Sequence, residues 1–333
     1  MSNISAVLAE TPLIYLAPMA GITDLPFRDL VSSYGVGQVV SEMIASENIK
    51  FEISGASKKL SFSKKFKNSI VQLAGCDAYW MAEAAKYAES FGCDAIDINM
   101  GCPAKKVING QAGSALMKDL GNAQRLIDAV VQAVNIPITL KMRLGWDENT
   151  KNASTLAQIA EHSGVKLITV HARTRCQFFK GKALWSEIKK IKEGLGIPVI
   201  VNGDIVCNSS ARKSLCDSGA DGLMIGRGAR GKPWILKQTL ESLTHRKSTC
   251  STSAEQITLV MLKHYDAILS FYGIENGIKL ARKHLAAYLE HFNVSKVLKT
   301  KILTCESHFS VSCMISELET VGLIQTYENG HFK

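Results

Sequence analysis

Residues 137–171 decide the fold, and they read PITLKMRLGWDENTKNASTLAQIAEHSGVKLITVH. The stretch opens with the apolar run Pro137–Met142 and closes with a second one, Leu167–His171. Between them, apolar residues recur at helical spacing over Ser154–His162. Runs that are almost continuously apolar are typical of strands buried on both faces, as in a parallel sheet. The stretch therefore predicts a strand–helix–strand unit with parallel strands.

The same unit recurs as far as Leu243. The eight apolar, β-rich runs are Leu13–Met19, Val36–Met43, Ser69–Ala74, Ala95–Met100, Pro137–Met142, Leu167–His171, Pro198–Asn202 and Gly222–Ile225. The helical patterns between and after them are Asp77–Phe91, Ala123–Val134, Ser154–His162, Trp185–Lys192, Ser209–Asp217 and Trp234–Leu243. Eight alternations predict a closed (β/α)8 TIM barrel. An open doubly wound sheet is the competitor, but it normally carries G-x-G-x-x-G after its first strand, where this chain has Ala17–Gly21.

The alternation stops near Leu243, and a second kind of pattern follows. Residues 245–254 are polar and rich in Ser and Thr, which indicates a linker. The remaining helical patterns are Glu255–Phe271, Asn276–Phe292, Ser295–Thr304 and Ser310–Val321. We therefore predict a barrel domain at 1–244 and a small all-α bundle domain at 255–333.

Composition limits the protein class. The 333 residues are 46% hydrophobic and 21% charged, which excludes a disordered, collagen-like or coiled-coil protein. The longest run without a charge, Thr11–Thr23, is too short for a transmembrane helix, and no Lys or Arg precedes Arg28 as in a signal peptide. Nine cysteines without a C-x-x-C argue against a disulfide framework and a zinc site. We expect a cytoplasmic monomer with free thiols and no metal.

The charge balance points weakly to a polyanionic partner. Lys and Arg number 39 against 30 Asp and Glu, a formal net charge of +9. Many basic proteins bind nothing acidic, so the excess charge alone identifies no partner.

Active sites of such barrels lie at the carboxyl ends of the strands. Polar residues at the predicted ends are Gln72, Asn99, Cys102, Lys141, Arg143, His171, Arg173, Asn202, Asp204 and Arg227. Gly203, Gly226 and Arg227, at two adjacent ends, suit a phosphate, although the glycines alone could serve only tight turns. Gln72, Asn99, Lys141 and His171 together form a polar ring that suits a flat heterocycle.

Two of these residues have several possible roles. Lys141 could form a Schiff base, pair with a phosphate or stabilise an anionic ring, or form only a salt bridge with Asp97 or Glu42. Cys102 lies between Gly101 and Pro103 in a loop, where it could be a nucleophile or a proton donor. No Cys-His-Asn arrangement is evident from spacing, which favours the proton donor.

These residues also carry a family resemblance. The blocks are Ala17–Asp24 (APMAGITD), Asn99–Pro103 (NMGCP), Lys141–Arg143 (KMR), His171–Arg175 (HARTR), Asn202–Asp204 (NGD) and Gly226–Gly228 (GRG). In this order they resemble the tRNA-dihydrouridine synthase family, most closely its bacterial DusB or NifR3-like branch. The resemblance implies an FMN enzyme that uses NADPH to reduce the C5=C6 bond of a D-loop uridine in tRNA.

The resemblance also implies residue roles. Pro18, Met19 and Ala20 would back the flavin ring, Gln72 and Lys141 would bind its polar edge, and His171 would lie near it. Asn202, Gly203, Asp204, Gly226 and Arg227 would hold the ribityl phosphate. Asn99, Arg143 and Arg173 would contact the substrate, and Cys102 would donate a proton to carbon 5 after hydride reaches carbon 6.

A stacked tRNA base must be extruded to reach a barrel mouth, and the rest of the tRNA then needs a basic surface. Candidate basic stretches are Lys58, Lys59, Lys64, Lys65 and Lys67, then Lys105 and Lys106, and finally Lys279, Arg282 and Lys283. Ala281–His284 (ARKH) resembles the family's tRNA-binding helix, which favours Arg282 and Lys283.

Two other functions remain open. An FMN barrel that reduces a small molecule, such as an ene-reductase or a dihydroorotate dehydrogenase, explains the flavin residues but neither the helical segment nor the basic surface. A non-catalytic RNA-binding barrel without flavin explains the charge but leaves Cys102 and Lys141 without a role.

Overall fold

A computed structural model describes residues 12–47, 61, 69–244 and 252–323 of the chain. The strands in these ranges are β1 (Leu13–Leu16), β2 (Gln38–Val40), β3 (Ile44–Ala45), β4 (Ser69–Ala74), β5 (Ala95–Met100), β6 (Ile138–Arg143), β7 (Leu167–His171), β8 (Val199–Asn202) and β9 (Gly222–Ile225). All are parallel in the order β2-β1-β9-β8-β7-β6-β5-β4-β3, and β2 also pairs with β4, which closes the sheet. The predicted (β/α)8 barrel is confirmed, and the open sheet is excluded.

One predicted strand, Val36–Met43, is divided in two. Both β2 and β3 pair with β4, so together they fill one of the eight barrel positions. Polar side chains interrupt the ladder between them: the Ser41 hydroxyl accepts the Gln72 N–H at 3.0 Å, and the Glu42 carboxylate accepts the Gly21 N–H. Side-chain hydrogen bonding of this kind is invisible in an apolar pattern.

The register of the barrel aligns the polar strand ends. Neighbouring partners are Gln72 with Asp97, Asn99 with Lys141, Arg143 with His171, and His171 with Asn202. The carboxyl ends of parallel strands share one edge, so these residues surround one opening, which we call the barrel mouth.

Helices cover the outside of the barrel. They are α1 (Leu25–Ser32), α2 (Ala78–Ser90), α3 (Lys105–Asn109), α4 (Leu120–Ala133), α5 (Ala153–His162), α6 (Glu187–Glu193), α7 (Asn208–Ser218) and α8 (Ile235–Leu243). The six predicted barrel helices are present with shifted ends. The pattern misses α1, which begins at the Asp24 cap with a proline in its first turn, and α3, which buries no residue.

The C-terminal helices build a core of their own. They are α9 (Ala254–Tyr272), α10 (Ile274–Tyr288), α11 (Lys296–Thr304) and α12 (His308–Ser316). Tyr265, Tyr288 and Phe292 are buried in this core, and Trp234 joins it from the barrel side. Helix α1 packs against α9, so the two parts are in contact. The helical segment is as predicted, whereas residues 245–251 of the proposed linker lie outside the described ranges, and the domain boundaries stay a prediction.

Among the described helices, none combines the length and the apolar character needed to cross a membrane.

Candidate active site at the barrel mouth

A buried polar network joins β4, β5 and β6 below the mouth. Gln72 Nε2 donates to Asp97 Oδ2 at 2.7 Å, and Gln72 Oε1 accepts from Asn99 Nδ2 at 2.8 Å. Thr139 Oγ1 donates to Asp97 Oδ1 at 2.6 Å. Burial raises the pKa of Asp97, and the hydrogen bonds from Gln72 and Thr139 oppose that shift. The network fixes the orientation of the Gln72 and Asn99 amides.

The loop that carries Cys102 is held from both sides. Asn99 Oδ1 accepts the N–H of Gly101 at 3.1 Å and that of Cys102 at 3.0 Å. The Cys102 carbonyl accepts the Ser114 N–H at 3.1 Å and the Ser114 hydroxyl at 2.8 Å. The thiol-bearing residue is partly exposed at the mouth, on a backbone with little freedom to move.

Gly113 lets the next segment approach this loop. Its φ is +62°, and a Cβ there would lie 2.9 Å from the Cys102 carbonyl oxygen and 2.9 Å from Val107 Cγ1. Only glycine therefore fits this position without moving the Cys102 loop.

Lys141 reaches the mouth as a cation without an ion-pair partner. Its Nζ donates to Asn202 Oδ1 at 3.1 Å, and Asn202 Nδ2 donates to the Met224 carbonyl at 2.8 Å. Burial lowers the pKa of Lys141 to about 8, although the nearby Asp97 charge raises it. In the described residues, no carboxylate oxygen lies within 4.0 Å of Nζ, so the structure lacks the salt bridge that the sequence left open.

Positive charge dominates this region. The pKa of His171 lies well below its usual value because the ring is buried and because Lys141, Arg143, Arg173 and Arg227 repel a further proton. Burial, followed by Arg173, also lowers the pKa of Arg143 to about 10. The mouth is therefore complementary to an anionic ligand.

Two predicted substrate arginines are occupied with internal contacts. Arg143, 1% exposed, donates to the carbonyls of Gly101 at 2.8 Å, Thr174 at 2.8 Å and Phe178 at 2.9 Å. Arg173, also 1% exposed, donates to the Lys180 and Gly181 carbonyls and to Asp204 Oδ2 at 2.5 Å. Both side chains brace the loops that follow β5 and β7.

Asp204 and its neighbours form the other side of the mouth. Its carboxylate lies between Arg173 and Arg227, with Arg227 Nη2 3.5 Å from Oδ1, and it accepts the Ala183 N–H at 2.9 Å. Gly203 has φ +118°, and a Cβ there would approach His171 Cδ2 to 3.0 Å.

The segment after β1 closes the ring of predicted residues. Pro18 and Met19 are partly buried and Ala20 is exposed. The Met19 N–H donates to Thr23 Oγ1 at 2.9 Å. A Cβ on Gly226 would lie 3.7 Å from Ala17 Cβ and 3.9 Å from Met19 Sδ, so the β1 and β9 ends are adjacent.

The predicted tRNA contacts are more dispersed. Lys105 and Lys106 are exposed on α3, immediately after the Cys102 loop. Arg282 and Lys283 lie on α10, and Lys283 Nζ is 3.4 Å from the position of a Cβ on Gly21, which places it beside the loop after β1. Lys58, Lys59, Lys64, Lys65 and Lys67 lie outside the described ranges.

The sequence analysis missed an aromatic residue at the mouth. Phe179 is 52% exposed, and its ring centre lies 5.0 Å from the Arg227 guanidinium carbon and 5.6 Å from that of Arg143. The His171 ring is 6.3 Å away. An exposed aromatic residue beside cations is a candidate for stacking on a base. Its position in the sequence shortly after the His171–Arg175 block is the feature that could have identified it as a site residue.

Comparisons with known proteins bear on this site. The family model "Dihydrouridine synthase (Dus)" matches residues 15–320, which include both the barrel and the C-terminal helices. This extent agrees with the family resemblance of the six sequence blocks and leaves the small-molecule reductase and the non-catalytic barrel without support.

Curated relatives cover most of the chain. A "Probable tRNA-dihydrouridine synthase" of Rickettsia conorii is 52% identical over 83% of this chain and 83% of its own length. One of Rhodobacter capsulatus is 50% identical over 84% and 86%. "tRNA-dihydrouridine synthase B" of Pasteurella multocida is 39% identical over 91% and 95%. Among solved structures, a FabK mutant from Thermotoga maritima is 13% identical, covers 70% of this chain and 67% of its own, and has a TM-score of 0.43. The family match and the relatives together show that the chain belongs to the dihydrouridine synthase family.

Proposed function

We propose that this oxidoreductase binds FMN in the barrel mouth, takes electrons from NADPH and reduces the C5=C6 bond of a D-loop uridine in tRNA. The observation that carries the proposal is the fixed Cys102 loop beside the unpaired Lys141 cation, in a chain of the dihydrouridine synthase family. A proton donor and an anion-stabilising cation are the two groups that reduction of an enone-like ring requires of the protein.

The residues at the mouth fit a flavin mononucleotide. FMN when bound supplies the hydride, and its ring and phosphate both carry negative charge during the reaction. Among the described residues, no carboxylate oxygen lies within 4.0 Å of Lys141 Nζ, and an anion beside it would offset the burial that lowers its pKa to about 8. Gln72 is oriented by its hydrogen bonds and would contact the ring edge with Lys141. Asn202, fixed by Lys141 and the Met224 carbonyl, would contact the ribityl phosphate chain.

For the phosphate, the proposed donors are Arg227 and the backbone of Gly203 and Gly226. Asp204 cannot donate to a phosphate as a carboxylate, so its role is to orient Arg227 and Arg173. Pro18, Met19 and Ala20 would support one face of the ring. His171 would lie beside it as a neutral ring, because its pKa lies well below its usual value.

Cys102 is the proposed proton donor. Asn99 and Ser114 hold the backbone of Gly101 and Cys102 by four hydrogen bonds, three of them to Cys102 itself. A neutral thiol at this place can deliver a proton to carbon 5 of the uracil, whereas a carboxylate would be ionised near neutral pH. Asn99 therefore acts in this proposal by holding the Cys102 loop as well as by facing the uracil, and Arg143, which is 1% exposed, acts by holding the Gly101 carbonyl.

The proposed tRNA-binding surface is the set of exposed cations around the mouth. Lys105 and Lys106 flank the Cys102 loop, and Lys283 lies beside the loop after β1, so cations stand on two sides of the opening. An extruded uridine would enter between them, with the phosphates of the flanking nucleotides near these lysines.

Nucleoside mass spectrometry tests the proposal. Purified enzyme with FMN and NADPH is incubated with an unmodified tRNA transcript, with the same transcript lacking its D-loop uridines, and with free uridine. We expect dihydrouridine only from the first. Reduction of free uridine at a similar rate would support a small-molecule reductase, and no product from any of the three would contradict the proposal.

A further inference from the structure

Three side chains able to ligate a metal ion meet where α1 contacts the C-terminal helices. They are Asp24 at the start of α1, His264 on α9 and His284 on α10. One ligand atom from each lies within 4.8 Å of the other two. The residues are 6%, 2% and 3% exposed, respectively.

Both histidines have a buried ring nitrogen without a partner. Within the described part of the chain, Nε2 of His264 and Nε2 of His284 make no hydrogen bond. The two rings are edge to face with centroids 4.5 Å apart. Buried polar atoms in proteins are nearly always paired, so each of these two neighbouring rings has a nitrogen that is available to a ligand.

The remaining contacts prepare these nitrogens for a metal. His264 Nδ1 lies 3.1 Å from the Tyr288 hydroxyl, and a proton on Nδ1 that donates to this oxygen leaves the lone pair of Nε2 free. Asp24 Oδ1 accepts the Phe27 N–H at 3.1 Å, and the carboxylate also forms a hydrogen bond with the Tyr272 side chain. Two carboxylate oxygens have about four lone pairs, so acceptor capacity remains beyond these two contacts.

Charged side chains of both signs face the cluster. Glu42 adds negative charge beside Asp24, whereas Arg28, Arg230 and Lys283 add positive charge near the three residues.

We propose that Asp24, His264 and His284 bind one divalent transition metal ion, with zinc as the best match. Two imidazole nitrogens and one carboxylate oxygen form a common zinc set, in which a fourth position takes water. The ligands are distant in sequence and come from three helical elements, so the ion would fasten α1 to α9 and α10. It would also hold Lys283, the residue before His284, next to Gly21 of the barrel. The proposal departs from the expectation of no metal, which rested on cysteine spacing and did not consider a carboxylate with two histidines.

Metal binding to the full-length protein tests the inference. After dialysis against EDTA and then against metal-free buffer, the protein is titrated with zinc chloride in a calorimeter and with cobalt chloride in a spectrophotometer. We expect one zinc per chain, a higher melting temperature with zinc, and a cobalt spectrum without the intense ultraviolet band of thiolate ligands. A thiolate band, or no binding by correctly folded protein, would overturn the proposal.

Two variants and a control locate the site. Asp24→Asn retains a good helix cap and His264→Gln retains a polar side chain, so folding can be checked by circular dichroism before titration. Each should lower zinc affinity by roughly 10- to 1,000-fold. His162→Gln, at the exposed end of α5, should bind zinc as the wild type does. Equal affinity in wild type and both cluster variants would refute the assignment.

Discussion

Cys102 owes its position to residues that take no direct part in proton transfer. Asn99 caps the two amides of the loop, and Ser114 binds the carbonyl of Cys102. Asn99 is itself oriented by Gln72, which is oriented by Asp97. A thiol at the end of this chain of contacts has one backbone position, as a catalytic group requires.

We predict that Cys102→Ala lowers tRNA-dependent turnover by roughly 10²- to 10⁴-fold, the usual contribution of a general acid. Flavin content and tRNA affinity should stay near wild type, because the loop backbone is held by other residues. The measurement is dihydrouridine formed in a single turnover. Cys76→Ala, a partly buried cysteine after β4, is the control and should remain active. Normal turnover by Cys102→Ala would disprove the proton-donor role.

Lys141 predicts a specific pH dependence of stability. Its pKa is lowered from 10.5 to about 8 in the folded chain, so between these values the unfolded chain holds more protons than the folded one. Stability therefore rises with pH across this window, and the cost of the buried charge is present in full below pH 8. Methionine at the same position has no such dependence.

We compare the free energies of unfolding of flavin-free wild type and flavin-free Lys141→Met. Between pH 8 and 10.5 the wild-type value should rise by roughly 2–3 kcal/mol relative to that of the variant. The difference between the two proteins in urea unfolding, measured under reducing conditions, isolates this group from the others that titrate. A difference that is constant with pH would mean that the pKa of Lys141 is not lowered. Lys141→Met should also lose flavin.

Individual site residues were predictable where a polar residue stands at the end of an apolar strand pattern, as with Gln72, Asn99 and Lys141. Their partners were not, because the contacts cross between strands that are far apart in sequence. The sequence placed Arg143 and Arg173 at the mouth but could not show that backbone carbonyls occupy their donors. It also missed Phe179, whose exposure depends on the path of a loop.

Between β5 and α4, the chain folds back on the Cys102 loop, and Gly113 allows this close approach. Gly219, at the end of α7, has the same φ of +62°, but a Cβ there would meet no atom within 4 Å. Substitutions at Gly113 and Gly219 therefore separate the cost of the left-handed backbone from the effect of steric contact with the Cys102 loop.

We predict that both Gly113→Ala and Gly219→Ala lose about 1–2 kcal/mol of stability from the left-handed backbone. Gly113→Ala should lose more, and its turnover should fall roughly 10- to 100-fold because the Cys102 loop must move. Gly219→Ala should keep its turnover. Urea unfolding and dihydrouridine formation are the two measurements. Equal turnover of the two variants would contradict the loop's role.

Strand and helix order followed from the apolar pattern because parallel strands are buried on both faces. The residues at which strands and helices begin and end were harder to predict from this pattern. The division of Val36–Met43 into β2 and β3 depends on polar side-chain contacts, and α3 lacks the buried face that produces a periodic pattern. The bounds of short elements that are fixed by side-chain hydrogen bonds can be found only from the three-dimensional structure.

For the whole molecule, the proposed tRNA surface extends from α3 to α10. Arg282→Ala with Lys283→Ala should weaken tRNA binding and reduce the slope of log affinity against log salt by about 1 for each phosphate that the variant no longer neutralises. Flavin content should be unchanged. Lys189→Ala with Lys190→Ala, two exposed residues on α6 outside the barrel, is the control that removes the same number of charges. Equal salt slopes in all three proteins would exclude α10 from the tRNA interface.

The most direct test of the central claim is the fate of the reduced flavin when tRNA is added. The enzyme is reduced with NADPH without oxygen, mixed with unmodified tRNA, and followed by the flavin absorbance. We predict rapid reoxidation with one dihydrouridine formed for each flavin reoxidised. A flavin that stays reduced in the presence of tRNA, or a protein that binds no flavin, would contradict the account.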